Sequence, residues 1–169
     1  CIRDSLRIVK GHGPSDWNAY GISIDTRTLI KGDIFFALAG PNYDGHQFIN
    51  EAIKKGACVV VSNAPVLNHQ KKVIVVNDVV KALIALGKSS RNRNKGKIIA
   101  VTGSSGKTTV KEMLALSLSD CGKIHYSQSS YNNKIGVSLS LARMPSDTDF
   151  SIFEVCLLYT SDAADEHGC

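Results

Sequence analysis

The ten residues Ala100–Thr109 read AVTGSSGKTT and join an apolar run to a helical pattern. The run KIIAVT predicts a buried strand that leads into the loop GSSG. Backbone N–H groups in such a loop converge on phosphate oxygens, and the N-terminus of the following helix adds positive potential. The stretch therefore predicts a phosphate site between a strand and a helix. We expect that helix, KTTVKEMLALSLS, to have four residues on its inner face: Val110, Met113, Leu114 and Leu118.

The loop also carries the side chains that phosphate chemistry needs. Lys107 would reach the β- and γ-phosphates, and the hydroxyl of Thr108 would bind Mg²⁺. The structural alternative is an ordinary strand-to-helix turn that contains Gly-Lys by chance. We disfavour it because the phosphate site is indicated by the loop, the lysine, the hydroxyl and the flanking elements together. The loop is a variant, because the general pattern has glycine where Val101 stands, and here the first glycine is Gly103.

Composition excludes several classes of protein. The 169 residues are 43% hydrophobic and 21% charged, with a net charge of +5, which is typical of a folded domain rather than a disordered chain. The five cysteines include no C-x-x-C pair, which argues against a disulfide framework or a zinc knuckle. No apolar run is long enough for a membrane span and no secretory signal is present, so we expect a cytoplasmic protein without membrane contact.

Strand and helix patterns alternate along the chain, which predicts an α/β fold with parallel sheets. We expect two domains, at 1–94 and 95–155. In the first, a helix is predicted over His46–Lys55 and a second helix is capped by Asp78. In the second, a helix is predicted to end before Pro145. The predicted strands are YGISIDTR, IFFAL, ACVVVS and KVIVV in the first domain and KIIAVT, KIHYS and FSIFEV in the second.

Three separated stretches resemble one family. They are TGSSGKTTVKEM at 102–113, YNNKIGVSLSL at 131–141 and GISIDTRTLIKGDIFFALAGPNYDGHQFINEAIKKGA at 21–57. Together they are similar to the Mur ligases. The first two resemble the MurF type within that family, and the third resembles the N-terminal domain that the MurE and MurF types share. The resemblance implies an N-terminal domain that binds the UDP-sugar end of a substrate, followed by the start of a central ATP-binding domain.

The same resemblance implies a reaction. ATP phosphorylates a peptide carboxylate to an acyl phosphate, and an amine then displaces phosphate to form an amide. For the MurF type the substrates are UDP-N-acetylmuramoyl tripeptide and D-Ala-D-Ala, the cofactors are ATP and Mg²⁺, and the product is a peptidoglycan precursor. We expect a monomer that binds no nucleic acid.

Site residues follow from the matched motifs. Lys107 and Glu154 are the expected catalytic pair, and Thr108 and Glu154 the expected metal ligands. For Glu154 the plainer interpretation is an exposed residue at a strand end, and for Asn132 and Asn133 it is a turn. The expected ATP-binding residues are Thr102, Gly103, Ser104, Ser105, Gly106, Lys107, Thr108, Thr109, Asn132 and Asn133. The expected residues for the UDP-linked substrate are Thr26, Arg27, Asn42, Asp44, Gly45 and His46.

Other hypotheses remain open from the sequence. The loop could belong to another P-loop ligase or kinase, such as a relative of folylpolyglutamate synthetase. The basic stretch Lys88–Lys97 could bind nucleic acid, although a solvated helix end explains it better. After Val155 the family pattern stops, and CLLYTSDAADEHGC at 156–169 resembles a translated sequencing adapter. We therefore expect a non-native tail and a fragment without ligase activity, the alternative being a divergent native tail.

Overall fold

The structure is a computed structural model that describes residues 11–14, 17–40, 43–128 and 131–156. The chain divides into two compact units, Cys1–Leu86 and Gly87–Cys169. Both contain parallel sheets with helices, so the predicted α/β class is confirmed. Among the described helices, none has the length and apolar content that crossing a bilayer requires.

The first unit is built on a four-stranded sheet in the order β1-β2-β5-β6, with every neighbouring pair parallel. Its central strands are short runs of β-branched and aromatic residues that are buried on both faces, as is typical of parallel sheets. A short antiparallel pair, β3 with β4, lies in AGPNYDG at 39–45, whose turn-forming residues predict a loop. The strands are β1 Gly21–Ser23, β2 Asp33–Phe36, β3 Ala39–Gly40, β4 Tyr43–Asp44, β5 Val59–Ser62 and β6 Val73–Val75.

One helix lies within the first unit, and the next spans the boundary between Leu86 and Gly87. The predicted helix over His46–Lys55 is instead a 3₁₀ turn, Gly45–Phe48, that continues into α1, Ile49–Lys54. The next helix, α2, covers Val79–Arg93, and Asp78 accepts the Lys81 backbone N–H at 2.9 Å, which confirms the predicted cap. The hydrophobic core joins the sheet to α1 through Phe35, Ala37, Ile49, Ala52, Ala57, Val60 and Val73.

The second unit contains a three-stranded parallel sheet in the order β7-β9-β8. The last of the described strands therefore lies between the other two. Helix α3 follows β7 directly, and α4 ends where Met144 and Pro145 leave the helix, as predicted. The elements are β7 Lys97–Val101, α3 Lys107–Leu118, β8 Ile124–Tyr126, α4 Lys134–Arg143 and β9 Phe150–Glu154.

The predicted inner face of α3 is wrong. Val110 and Met113 are exposed, Met113 by 63%, and Leu114 and Leu118 are only half-buried. The buried residue of this helix is Lys111. Apolar spacing along a helix indicates which residues share a face, but it does not show which face packs on the sheet. Here Lys111 packs there, because its ammonium donates a hydrogen bond to the Ser127 carbonyl.

The basic stretch Lys88–Lys97 forms the end of α2 and its exit. Lys88 and Arg91 are exposed, and Arg93 donates to the carbonyl of Met144 at 3.2 Å. The buried Asn94 directly follows the helix, and its amide donates to the carbonyl of Thr148 at 2.9 Å. These contacts lie within the second unit and are those of a structural helix end.

Candidate functional site

The loop between β7 and α3 has the predicted geometry. Strand β7 ends at Val101 and α3 begins at Lys107, so Gly103 and Gly106 lie in the connecting loop. Gly106 has φ of 73°, a left-handed conformation that side chains other than glycine rarely adopt, although no atom would crowd a Cβ there. No side chain caps the start of α3, so its first N–H groups are oriented toward the loop.

The loop side chains lie around this helix start. Lys107 donates from Nζ to the carbonyl of Gly103 at 2.6 Å, so its ammonium lies over the loop. Gly103 is half-buried, and the other loop residues are exposed: Thr102, Ser104, Ser105, Gly106 and, in the first turn, Thr109. An exposed backbone loop with one lysine folded over it can receive a phosphate chain from solvent.

Glu154 lies beside the loop and is buried. In the sheet, β9 pairs with β7 so that Glu154 is opposite Val101, the residue that leads into the loop. Its side chain is one of the most deeply buried charged groups of the unit, with 2% of the residue exposed. The plainer interpretation, an exposed glutamate at a strand end, is therefore wrong.

Two neutral donors hold the Glu154 carboxylate. The hydroxyl of Thr108 donates to Oε2 at 2.9 Å, and the Asn132 amide donates to Oε1 at 3.1 Å. The backbone N–H of Glu154 in turn donates to the Ser127 hydroxyl at 3.4 Å. The structure thus brings together Thr108, Asn132 and Glu154, although Thr108 and Glu154 are 46 residues apart in the sequence.

The two neighbouring asparagines have different roles. Asn133 is the N-cap of α4, where its side chain accepts the Gly136 backbone N–H at 2.7 Å, so its local role is the structural one. Asn132 contacts the buried carboxylate instead. Of these two asparagines, only Asn132 directs its side chain to Glu154 in the described structure.

The donor set fits a hard divalent cation. A carboxylate and a hydroxyl within 2.9 Å of each other supply the oxygen ligands that Mg²⁺ prefers, and Mg²⁺ typically combines one or two carboxylates with substrate phosphates and water. The described residues contain no cluster of three or more His, Cys, Asp or Glu that would form an all-protein cage. Thr108 and Glu154 would thus hold Mg²⁺ only together with a phosphate ligand.

The residues expected to bind the UDP-linked substrate lie in the first unit. Thr26 is buried and its carbonyl accepts from Lys55 Nζ at 2.9 Å. The Arg27 side chain is 86% exposed and forms a bidentate ion pair with Asp25 at 2.6 to 3.0 Å. Hydrogen bonding from Arg27 holds the pKa of Asp25 below its ordinary value. The guanidinium can therefore be presented to an anion from a defined position.

A second group of these residues follows β3. Asp44 accepts both the backbone N–H and the Nδ1 of His46, at 3.0 and 2.6 Å, and these hydrogen bonds lower the pKa of Asp44. Because Nδ1 faces a carboxylate, the Nε2 of His46 points away, and it is buried without a hydrogen-bond partner among the described residues. Gly45 permits this turn, since a Cβ would lie 2.5 Å from the Leu38 carbonyl. Asn42 lies outside the described residues.

A buried ring nitrogen without a partner is uncommon in a folded protein. Tyr43, stacked on Phe48 with ring centroids 5.7 Å apart, lies beside the same turn. Burial raises the pKa of Tyr43, and the nearby carboxylates of Asp25 and Asp44 raise it further. The group therefore combines an aromatic face, an imidazole nitrogen and a guanidinium, which suits a base linked to a phosphate.

Sequence reasoning missed two contributors to these sites. Lys111 is buried one helical turn from Thr108, and its spacing of three residues was the signal that could have placed it on the same face. Tyr43 was hidden in a segment rich in turn-forming residues. The interpretation of 156–169 as a foreign tail lies outside the described residues except at Cys156, whose N–H donates to the Asn132 carbonyl.

Comparison with known proteins gives the family. The profile described as "Mur ligase family, catalytic domain" matches residues 18–105, which is more than half of the chain, and "Mur ligase middle domain" matches residues 101–164. This chain belongs to the Mur ligase family. The two matches meet at the phosphate loop, and the second continues to residue 164, beyond Val155.

Individual relatives point to one type of Mur ligase. The chain is 42% identical to the UDP-N-acetylmuramoyl-tripeptide–D-alanyl-D-alanine ligase of Synechocystis over 80% of its own length and 30% of that protein. It is 37% identical to the Escherichia coli enzyme of the same name over 79% of its length and 29% of that protein. The chain therefore spans about 30% of the length of these relatives.

Solved Mur ligase structures agree. The corresponding ligase of Acinetobacter baumannii superposes with a TM-score of 0.82 at 29% identity, covering 94% of this chain and 36% of that one. The MurF ligase of Thermotoga maritima, solved in complex with ADP, superposes with a TM-score of 0.71 at 27% identity, covering 86% and 34% of the two chains.

Proposed function

We propose that this chain is part of a MurF-type ligase that adds D-Ala-D-Ala to UDP-N-acetylmuramoyl tripeptide at the expense of ATP. The observation that carries the proposal is the hydrogen bond from Thr108 to the buried Glu154 beside a phosphate loop, in a chain of the Mur ligase family. The loop supplies donors for phosphate, and the carboxylate with the threonine hydroxyl supplies oxygen ligands for a cation, so the proposal needs both.

In the first step the tripeptide carboxylate attacks the γ-phosphorus of ATP. The new bond joins a carboxylate oxygen to phosphorus, the bond to the β-phosphate oxygen breaks, and ADP leaves. We assign the terminal phosphates to Lys107 and to the N–H groups of the loop Gly103–Gly106, which face the charge that builds up. Mg²⁺ bound to ATP supplies charge neutralisation for this transfer.

In the second step the amine of D-Ala-D-Ala attacks the acyl carbon. An amide forms, inorganic phosphate leaves, and the amine loses its proton. Thr108 and Glu154 would hold Mg²⁺ next to the loop, with Asn132 fixing the second carboxylate oxygen. Thr102, Ser104, Ser105 and Thr109 complete the proposed nucleotide site around the start of α3. Asn133, the N-cap of α4, is proposed to line this site beside Asn132.

The first unit is the proposed binding domain for the UDP end of the substrate. Arg27 suits the diphosphate, because a guanidinium forms paired hydrogen bonds with phosphate oxygens. His46, whose buried Nε2 has no hydrogen-bond partner in the part of the chain that the structure describes, suits a polar atom of the nucleoside. Thr26, Asn42, Asp44 and Gly45 form the rest of the proposed contact set. We propose the domain boundary near residue 94, at the end of α2, whereas the compact units divide after Leu86.

The protein is proposed to act in the cytoplasm as a monomer, where ATP and UDP-linked precursors are available. The test is phosphate release by the full-length protein that contains this sequence. Release should require UDP-muramoyl tripeptide, D-Ala-D-Ala, ATP and Mg²⁺ together, and the product should gain the mass of one dipeptide. Release that instead depends on a folate and glutamate, or transfer of phosphate to a small molecule without amide formation, would contradict the assignment.

A further inference from the structure

Helix α3 buries a lysine although the sequence pattern predicts that its inner face is apolar. Lys111 is 1% exposed, which makes it one of the largest fully buried side chains of the protein. Removing an ammonium from water is costly unless it is compensated by hydrogen bonds or charge. A buried lysine in a helix that offers Val110 and Met113 to solvent therefore calls for a specific reason at its charged end.

That end contacts the strand beside Glu154. The Nζ of Lys111 donates to the carbonyl of Ser127 at 2.9 Å and lies 5.9 Å from the centroid of the Tyr126 ring, within the range of a cation–π contact. Both partners stand at the end of β8, the strand that pairs with β9. Lys111 thus fastens α3 to the edge of the sheet.

Ser127 connects Lys111 to Glu154 through hydrogen bonds. Its N–H donates to the Ile152 carbonyl at 3.1 Å, and its hydroxyl accepts the N–H of Glu154 at 3.4 Å. Lys111 also lies on the same face of α3 as Lys107 and Thr108, which precede it by four and three residues. One face of α3 therefore carries Lys107 over the phosphate loop, Thr108 in contact with Glu154, and Lys111 in contact with Ser127.

We propose that Lys111 is a positioning residue for the Thr108–Glu154 pair. By holding α3 on the end of β8, its ammonium sets the distance between the Thr108 hydroxyl and the Glu154 carboxylate, and with it the affinity of the pair for a divalent cation. The inference rests on the proposed function only in taking these two side chains as ligands of a nucleotide-bound cation. It does not depend on the identity of the peptide substrate.

The decisive variant is Lys111→Met in the full-length protein, since methionine keeps most of the length and removes the ammonium. The readout is binding of Mn²⁺, a paramagnetic substitute for Mg²⁺, measured by electron paramagnetic resonance with a non-hydrolysable ATP analogue present. We expect the dissociation constant for Mn²⁺ to rise about 10- to 100-fold, the usual effect of losing a group that orients a metal ligand. Binding of the analogue without metal should stay unchanged.

Lys88→Met is the matched control, because Lys88 is an exposed lysine on α2 in the same unit. It should leave both dissociation constants at their wild-type values. Lys111→Arg keeps the charge on a larger planar group that does not reproduce the ammonium's position, so we expect an intermediate rise in the dissociation constant for Mn²⁺. Thermal unfolding of each variant shows whether it is folded.

A folded Lys111→Met protein with wild-type Mn²⁺ affinity would overturn the proposal. So would a variant with slower turnover but unchanged metal affinity, because a general packing role predicts that result. If Lys111→Met does not fold, Lys111→Arg is judged by the same criterion, and failure of both to fold would show that Lys111 maintains the unit as a whole. Wild-type protein that binds Mn²⁺ with nucleotide but forms no amide would refute the proposed reaction alone.

Discussion

The two proposed binding regions are constructed differently. The phosphate site is a continuous loop, Gly103–Gly106, supported by a helix start and one buried carboxylate, Glu154. The proposed UDP site collects side chains from separate turns, with Arg27 and Asp44 largely in solvent. Backbone and burial define the first region, whereas pairs of side chains define the second. A site of the first kind should fail completely when one group is lost, and a site of the second kind should weaken gradually.

The largest effect expected from this difference is that of Lys107→Ala. The terminal phosphates would lose their charge-assisted donor, so ATP-dependent ligation by the full-length protein should fall about 10³-fold or more. Affinity for UDP-muramoyl tripeptide, measured by calorimetry, should be unchanged because the proposed site for it lies in the other unit. Lys88→Ala serves as control. Turnover within tenfold of wild type would remove Lys107 from the mechanism.

Glu154→Gln should have the next largest effect. The amide keeps the shape of the side chain but loses the negative charge that would face Mg²⁺, so ligation should fall about 10²-fold and the Mg²⁺ concentration for half-maximal rate should rise. The measurement is initial rate against Mg²⁺ concentration. Glu112→Gln, at an exposed position on α3, is the control, and a wild-type Mg²⁺ dependence in Glu154→Gln would refute the metal role.

A gradual loss is expected in the other region. Asp44→Ala removes the carboxylate that orients His46, so affinity for UDP-muramoyl tripeptide should decrease about tenfold, or about 1.4 kcal/mol. Binding of an ATP analogue should stay at its wild-type value. Asp120→Ala, at an exposed position of the second unit, is the control. A complete loss of substrate binding would show that the two regions do not differ in the way described.

The smallest effect concerns pH. His125 is mostly buried, its Nε2–H donates to the Ser140 carbonyl at 2.8 Å, and burial lowers its pKa below the ordinary 6.5. Below pH 6.5 the unfolded chain takes up a proton before the folded one does. The free energy of unfolding of the second unit should therefore fall as pH drops through 6.5 toward the folded pKa, by at most about 1.4 kcal/mol per pH unit.

Urea unfolding between pH 5 and 7 measures this slope. His125→Gln, which keeps a donor for Ser140, should flatten it, and His12→Gln, at an exposed position, should not. The first unit responds differently: the pKa values of Asp25 and Asp44 are lowered from 3.8 by hydrogen bonds from Arg27 and His46. Their contribution to stability is present above pH 4 and is lost only at lower pH. If the free energy of unfolding of His125→Gln depends on pH as steeply as that of wild type, His125 is not the source of the dependence.

Much of the fold could be predicted because the responsible signals are local. A run of β-branched residues predicts a buried strand in either unit, and the turn before Lys107 needs glycine where the backbone is left-handed, at Gly106. The loop, its lysine and the helix start are contiguous, so one short stretch indicates the entire phosphate site. The ends of the helices were also predictable, as at Pro145, since proline excludes the preceding helical conformation.

The remainder depends on contacts between distant residues. Strand order β7-β9-β8 and the pairing of Val101 with Glu154 arise from sheet formation, which no local pattern encodes. The exposure of Met113 and the burial of Lys111 follow from which neighbours the sheet supplies to α3. The two-residue strands β3 and β4 were missed because turn-forming residues dominate that segment.

The sequence by itself determined the α/β class, the place of the phosphate loop and the candidate residues of both sites, because those features depend on backbone preferences and contiguous motifs. The tertiary structure decided which candidates meet: Thr108 and Asn132 on the Glu154 carboxylate, while Asn133 became a helix cap. The physical reason is that a buried charge must find its hydrogen-bond partners in space. Those partners come from whichever segments the sheet brings beside it, wherever they stand in the chain.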